Sequence, residues 1–437
     1  MIPFRKRAAY SFNQIGVNLL WQAFNTVAVF YYVTVLHVSG TAISAVMVVY
    51  GIINAFLNLL SGYLSDKTQT QMGRRIPYIV FGGVPFVVLF YLLFHPLVKS
   101  GPALIVYFLV VTLLFDICFT FVALNIGALF PEMYQDAKDR SSVVALQQLF
   151  GIIGLIIGVA LSKSLGQSMG WSMMAVIFGI ITLVTTYVSL YGSFENPAYR
   201  EEPLDLREAI RETFKNKRFI VYVFASLFVQ LTTTMFVTIS SFYSNYVVPL
   251  SGLQSSLFLG LMFIVAIPLS FAWSRVSLRV SNITAALAST ALFAIVSLLF
   301  LVAHAPLFVI IIGICLGVGV SGFMVTMNLL LADVIDYDAR HTGKRREGMY
   351  YGMNGFIVRI GMSLQYAIMG VFFAITKFNS HLSVQPSSAI VGLRILIGGL
   401  PVVLLFISFI LLNRYRHYEK RDGITPIPVI TEHLGQS

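Results

Sequence analysis

Charge is what this sequence has least of. Asp, Glu, Lys and Arg make up 11% of its 437 residues while 57% are hydrophobic, and such a chain cannot keep the surface of a soluble globule wet. Cysteine is almost missing too. Cys118 and Cys315 both fall inside long apolar runs, which excludes an extracellular disulfide framework and predicts two free thiols. No metalloenzyme spacing, glycine-rich phosphate loop or nucleophile elbow occurs, so neither catalytic chemistry nor a metal centre nor a cofactor is expected. His37, His95, His304, His341, His381, His417 and His433 lie near the edges of the apolar runs or in loops, which argues against a proton relay of imidazoles.

In place of charge there is a succession of apolar runs, each near the roughly 20 residues that cross a bilayer. Twelve are read, over residues 8–36, 41–64, 77–98, 103–130, 141–165, 171–191, 219–250, 255–273, 281–303, 305–331, 349–375 and 388–412. The net charge of +11 is explained by where the 29 Lys and Arg fall. Twelve spans place 24 of them on the side of both termini; only Lys99, Lys163 and Lys377 fall on the other, with Arg359 and Arg394 inside spans. That asymmetry is the positive-inside pattern, with both termini in the cytoplasm of a cell-membrane protein. It makes a nucleic-acid partner unnecessary; the expected partners are the lipid bilayer and a small-molecule solute, and the expected state is a monomer. The start MIPFRKRAAY has a basic n-region, but no small-residue cleavage site follows it, so it reads as a retained first helix.

Organisation is six spans, a linker and six spans: an amino-terminal bundle over 1–191, a linker over 192–218, a carboxy-terminal bundle over 219–412 and a tail over 413–437. The linker stretch EEPLDLREAIRETFKNKR reads as an amphipathic surface helix. The fourth span exits through ALFPEMYQDAKDR and the tenth through LLADVIDYDARHTGKRREG, an acid-then-base loop at the same place in each half, as a duplicated six-helix unit requires.

Polar residues recur at helical spacing inside the spans. Gln14, Asn18, Gln22 and Asn25 form one stripe on the first, and Gln230, Thr234, Thr238, Ser241 and Asn245 one on the seventh, its counterpart in a two-fold repeat. Asn54, Asn58 and Ser61 align on the second span, and Thr112, Asp116 and Thr120 on the fourth. Amides and hydroxyls can simply hold helix to helix. Matching stripes in both halves favour a central hydrophilic cavity with Asn18, Gln22, Asn25, Gln148, Gln230, Thr234 and Asn328 as substrate ligands. Two ionisable residues sit mid-membrane, Asp116 and Arg359, where a charge is expensive unless paired or hydrated. They are read either as a permanent ion pair between bundles or as a switch, with Asn54, Asn58 and Thr120 adding oxygen ligands for a coupling cation. Gly151, Gly154 and Gly158, Gly313, Gly317, Gly319 and Gly322, and Gly352 and Gly355 are expected to allow close helix packing.

The stretch LNLLSGYLSDKTQTQMGRRIPYI places Gly62, Asp66, Gly73, Arg74 and Arg75 in the loop between the second and third spans. It resembles the signature loop of the major facilitator superfamily. Its longer spacing and Pro77 are similar to one branch, the glycoside-pentoside-hexuronide:cation symporters. FPEMYQDAKDRSSVVALQQLFGIIG and ADVIDYDARHTGKRREGMYYGMNGFIVRIG resemble that branch's fourth-to-fifth and tenth-to-eleventh loops. The resemblance implies an all-α membrane fold of twelve helices in two pseudo-symmetric six-helix bundles, and a cytoplasmic gate drawn from Asp66, Arg74, Arg75, Glu132, Arg140, Asp333, Arg345 and Arg346. It also implies where the family's charges would stand. The sugar-binding Asp falls on Asn18, the two cation-site Asps on Asn54 and Asn58, a further Asp on Ala123, the sugar-binding Arg on Gln148, and the intramembrane Lys on Arg359. Four carboxylates are thus replaced, leaving Asp116 as the nearby acid.

The expectation is an alternating-access secondary transporter of a sugar, glycoside or similar polar solute, coupled to a cation, with H+ at Asp116 preferred over Na+. The alternatives are a carrier of lipid-like or amphipathic organic molecules, an uncoupled facilitator, and a membrane-embedded receptor or scaffold.

Overall fold

A computed structural model describes residues 2–68, 70–134, 136–195, 214–342, 347–382 and 384–421. Among these no strand forms, and twelve helical spans follow one another. The first is Phe4–Ser11, Asn13–Phe30 and a π-helical turn Tyr31–Val35; the second, third and fourth are Gly40–Lys67, Ile76–Phe94 and Pro102–Met133. The fifth is Ala137–Ile156, a π-turn Ile157–Leu161 and Ser162–Ser168; the sixth is Trp171–Gly192. The seventh and eighth are Lys217–Tyr246 and Gly252–Val280, the ninth Asn282–Ser297 with a 3-10 turn Leu298–Leu301, and the tenth and eleventh Pro306–Thr342 and Glu347–Ile375. The twelfth is Ser387–Arg394, a π-turn Ile395–Gly399 and Leu400–Arg421.

Their starts follow from local chemistry. Pro102 opens the fourth span, where its missing N–H costs nothing. Asn216 caps the seventh by accepting from the Arg218 and Phe219 amides, and Ser251 with Gln254 forms a reciprocal capping box on the eighth. Among the described residues, eleven helices are long and apolar enough to cross a membrane. The first falls short of that measure because its amide stripe dilutes its hydropathy, and it is placed as a span by its neighbours. The tenth span runs eleven residues beyond its expected end at 331, to Thr342.

Packing reveals the duplication. In the amino-terminal bundle the first span packs on the fifth and sixth, the second on the fourth, and the third on the fourth and sixth. Adding six to each ordinal gives the contacts of the carboxy-terminal bundle: seventh on eleventh and twelfth, eighth on tenth, ninth on tenth and twelfth. The bundles meet through the second and eleventh, the fifth and eighth, and the first and seventh spans. Within each bundle, glycine brings helix backbones close. A Cβ on Gly154 would lie 2.2 Å from the Ile15 carbonyl oxygen of the first span, and one on Gly317 2.5 Å from that of Met262 on the eighth. Gly352 and Gly355 correct the packing expectation: among the described residues a Cβ there would meet nothing within 4 Å. The linker stretch expected to be an amphipathic helix falls mostly on 196–213, outside the described residues.

Candidate functional site

A cavity of about 360 Å³ lies between the bundles at mid-depth. Gln22 and Asn25 of the first span face Gln230, Thr234 and Arg359 of the other bundle across it. Trp21 and Phe119 form one wall as a stacked pair, centroids 4.5 Å apart, with Phe263, Met324 and Met362 opposite. The cavity therefore has an amide and hydroxyl rim and an aromatic and thioether flank. Four of the seven expected substrate ligands line it, together with Arg359 of the expected coupling group. Three others do not: Asn18 Nδ2 donates to the Gln14 carbonyl (2.9 Å) and Oε1 (3.1 Å), Gln148 is exposed, and Asn328, also exposed, donates to the Met324 carbonyl. Sequence reasoning missed Trp21 and Phe119, since an aromatic in an apolar helix carries no signal of its own. Trp21, four residues before Asn25 on the same face, was the available hint.

Beside the cavity Asp116 is fully buried and held by neutral hydrogen-bond donors. Tyr50 donates its hydroxyl to Oδ1 at 3.3 Å and the Asn54 amide donates to Oδ2. Arg359 in turn donates from Nη1 to Asn54 Oδ1 at 2.9 Å. Asn54 thus lies as an oriented dipole between a carboxylate and a guanidinium, its NH2 toward the negative group and its carbonyl toward the positive one. An Asp at 54 would set a second carboxylate against Asp116, and like charges at that separation cannot both ionise readily. Because Arg359 belongs to the eleventh span and Asn54 to the second, the relay also bridges the bundles. Thr120 is buried and its hydroxyl has no partner among the described residues; the Asn58 side chain lies outside them.

At the end of the molecule opposite the termini, the bundles are sealed against each other. Thr238 Oγ1 donates to the Asn25 carbonyl and Ser241 Oγ to the Thr26 carbonyl, both at 3.0 Å. Gln365 Nε2 donates to Thr238 Oγ1 at 2.9 Å, Phe30 meets Phe242 edge-on, and the rings of His37 and His381, one from each bundle, stack 4.5 Å apart. Lys163 corrects an expectation. Counted by sequence on the outer side near the end of the fifth span, where water would receive it, it is 4% exposed and donates from Nζ to the Ser241 carbonyl (3.0 Å) and Ser244 Oγ (2.7 Å).

The expected gate residues gather near the termini, and those described bind within their own bundle. Arg74 and Arg75 both pair with Glu132, the latter at 3.1 Å. The Glu195 carboxylate, which sequence reasoning missed, accepts from the backbone amides of Arg74, Arg75 and Ile76 at 2.9, 2.7 and 3.1 Å. Gly73 has φ +103°, and a Cβ there would lie 2.4 Å from that carboxylate, so the turn needs glycine. Arg140 Nε donates to the Tyr134 carbonyl at 3.2 Å, and Asp333 accepts from Asn282 at 2.7 Å. The Asp66 side chain, Arg345 and Arg346 lie outside the described residues.

A family model described as MFS/sugar transport protein matches residues 9–418. The chain belongs to this sugar transport family. Within the MFS/sugar transport family it is 24% identical to an uncharacterized symporter, YnaJ, of Bacillus subtilis (strain 168), over 96% of this chain and 93% of the relative. It is 23% identical to a putative glycoside/cation symporter, YagG, of Escherichia coli (strain K12), over 96% and 93%. Among solved structures, a bacterial homolog of the human lysosomal transporter Spinster superposes with a TM-score of 0.71 at 14% identity, covering 98% of this chain and all of that one. The nucleoside transporter NupG superposes at 0.67 and 16%, covering 95% and 99%. The protein is a multi-pass membrane transporter with the fold expected for it.

Proposed function

We propose that the chain moves a sugar or glycoside across the cell membrane by alternating access, with uptake driven by protons at Asp116. The observation that carries this is the cavity itself: it lies midway between two symmetry-related bundles, and one end of their interface is tied shut. Amide and hydroxyl groups on its rim suit the hydroxyls of a sugar, and relatives named as a glycoside/cation symporter and as an isoprimeverose transporter of Lactiplantibacillus pentosus agree with that chemistry. The basic loops place both termini in the cytoplasm. The sealed end then faces outward, and Gly355 lines the cavity on the side toward the cytoplasm. Asp116 is the coupling group because the amides at 54 and 58 leave it as the acid beside the cavity, and protonation would weaken its hold on Asn54 and hence on Arg359.

The aromatic and thioether flank favours a second reading, a carrier of amphipathic organic molecules. Proteoliposome uptake of labelled sugars, aryl glycosides and their free aglycones, under separately imposed proton and sodium gradients, decides between them. Sugar accumulation under a proton gradient is expected, and its persistence at full height in Asp116→Asn would refute proton coupling there. Alternating access has its own test. The Cβ of Ser164 lies 3.6 Å from a Cβ built on Gly252, within disulfide range. Oxidised Ser164→Cys/Gly252→Cys joins the fifth and eighth spans across the seal, so uptake should stop and return on reduction.

A further inference from the structure

Lys163 lies in Ser162–Ser168, the last segment of the fifth span, five residues from its end. A lysine so placed ordinarily runs its stem along the helix and leaves its ammonium in interfacial water. Here the side chain turns inward. Besides its two hydrogen bonds to the seventh span, Nζ lies 5.0 Å from the centre of the Phe30 ring on the first. The π-turn Ile157–Leu161 just before it contributes to this aim. A π-turn inserts one extra residue, which rotates every later side chain by about 100° around the helix.

A buried ammonium needs compensation, and no carboxylate supplies it. Residues 31–41, 94–103, 162–171, 245–253, 298–307 and 375–388, which form the outer end, contain no Asp or Glu. The compensation comes from elsewhere. Ser241 and Ser244 lie within the last six residues of the seventh span, Lys217–Tyr246, where the helix presents its negative pole, and the Phe30 ring adds a cation–π contact. The two hydrogen-bond partners on the seventh span belong to the closed arrangement, whereas Phe30 travels with Lys163 in the amino-terminal bundle. Once the fifth span moves from the seventh, water takes the place of the two lost acceptors.

We propose that Lys163 is the latch of the outer gate, a positioning residue for transport whose ammonium, seated on the end of the seventh span, holds the outward-closed state. The proposal rests on alternating access. The neighbouring bonds of Thr238 and Ser241 are between neutral groups, and charge-assisted bonds are roughly twice as strong, so Lys163 makes the largest polar contribution to the seal.

The test uses the full chain in proteoliposomes, with Cys118→Ser, Cys315→Ser and a reporter Thr26→Cys, which is buried in the seal. A membrane-impermeant maleimide is added from the outer side. Lys163→Met should speed labelling on the order of ten-fold, and Lys163→Arg should stay near the parent. Ser244→Ala should speed it less and add little to Lys163→Met. With the native cysteines and Thr26 restored, Lys163→Met should lower the maximal uptake rate and also lower KM for external solute, since more carriers wait outward-open. A simple folding defect would lower the rate alone. Equal labelling in all variants, while the Ser164→Cys/Gly252→Cys disulfide still arrests uptake, overturns the latch and leaves the carrier intact. A disulfide that forms without arresting uptake overturns the carrier itself. Should Lys163→Met not reach the membrane, Ser244→Ala is decisive by the same criterion: faster labelling supports the latch and unchanged labelling refutes it.

Discussion

Gln230 and Thr234 differ little in kind from Thr238 and Ser241, and all four lie on one face of the seventh span. The first two line the cavity, while the second two donate to carbonyls of the first span and close the end opposite the termini. The difference lies in distance to the neighbour. Toward that end the first and seventh spans come near enough for a hydroxyl to reach a backbone oxygen. At mid-depth they diverge and the same face meets space. One polar stripe thus both closes the bundle interface and lines the cavity, and a carrier that alternates its openings can use such a face, since hydrogen bonds to water and to a neighbouring carbonyl are nearly interchangeable in energy.

Glycines divide the same way. Gly154 is pressed onto the first span, whereas Gly355 looks into open space.

The most forceful way to break this contrast is at the relay joining cavity to bundle interface. Arg359→Ala should leave a buried carboxylate with only Tyr50 and Asn54, destabilising the protein by about 3–5 kcal/mol. Thermal unfolding in detergent checks it, and Asp116→Asn in the same chain should restore part of the loss. Gly154→Val comes next. With the Cβ position already 2.2 Å from a carbonyl, the fifth span must shift off the first, at about 1–3 kcal/mol, read as a lower melting temperature. Thr238→Val removes the bond to the Asn25 carbonyl across the bundles and the acceptor of Gln365 Nε2 within its own bundle, and no cavity contact. The lost bond across the bundles should shift the balance toward outward-open by about 1 kcal/mol, seen as faster thiol labelling from outside, and the unpaired Gln365 amide should lower the melting temperature. Gly355→Ala should be the mildest. Its methyl group enters empty space, so stability should stay within about 0.5 kcal/mol, and competition by a graded series of glycosides should show only the largest losing affinity.

Much of this was legible beforehand. Apolar length and the distribution of Lys and Arg fix twelve spans and their alternation, and helical periodicity fixes which residues share a face. The signature loop and its companions identify the family before any coordinate. From the site, Gln22, Asn25, Gln230, Thr234 and Arg359 were found this way. Asn18, Gln148 and Asn328 were placed in the site and lie outside the cavity lining, because periodicity gives the direction of a side chain and not the depth at which two bundles part.

Periodicity and charge are properties of one helix and its ends, which is why the sequence alone determined the spans, their stripes and the side on which the basic loops fall. What stands opposite a stripe depends on how helices far apart in the chain approach one another, and only the tertiary structure decided that. It turned Lys163 away from water onto the seventh span, set the Asn54 amide between Asp116 and Arg359, and folded Glu195 back onto the turn at Gly73. Each of those placements arises where a buried polar group must find a partner, and the nearest partner in space was remote in sequence.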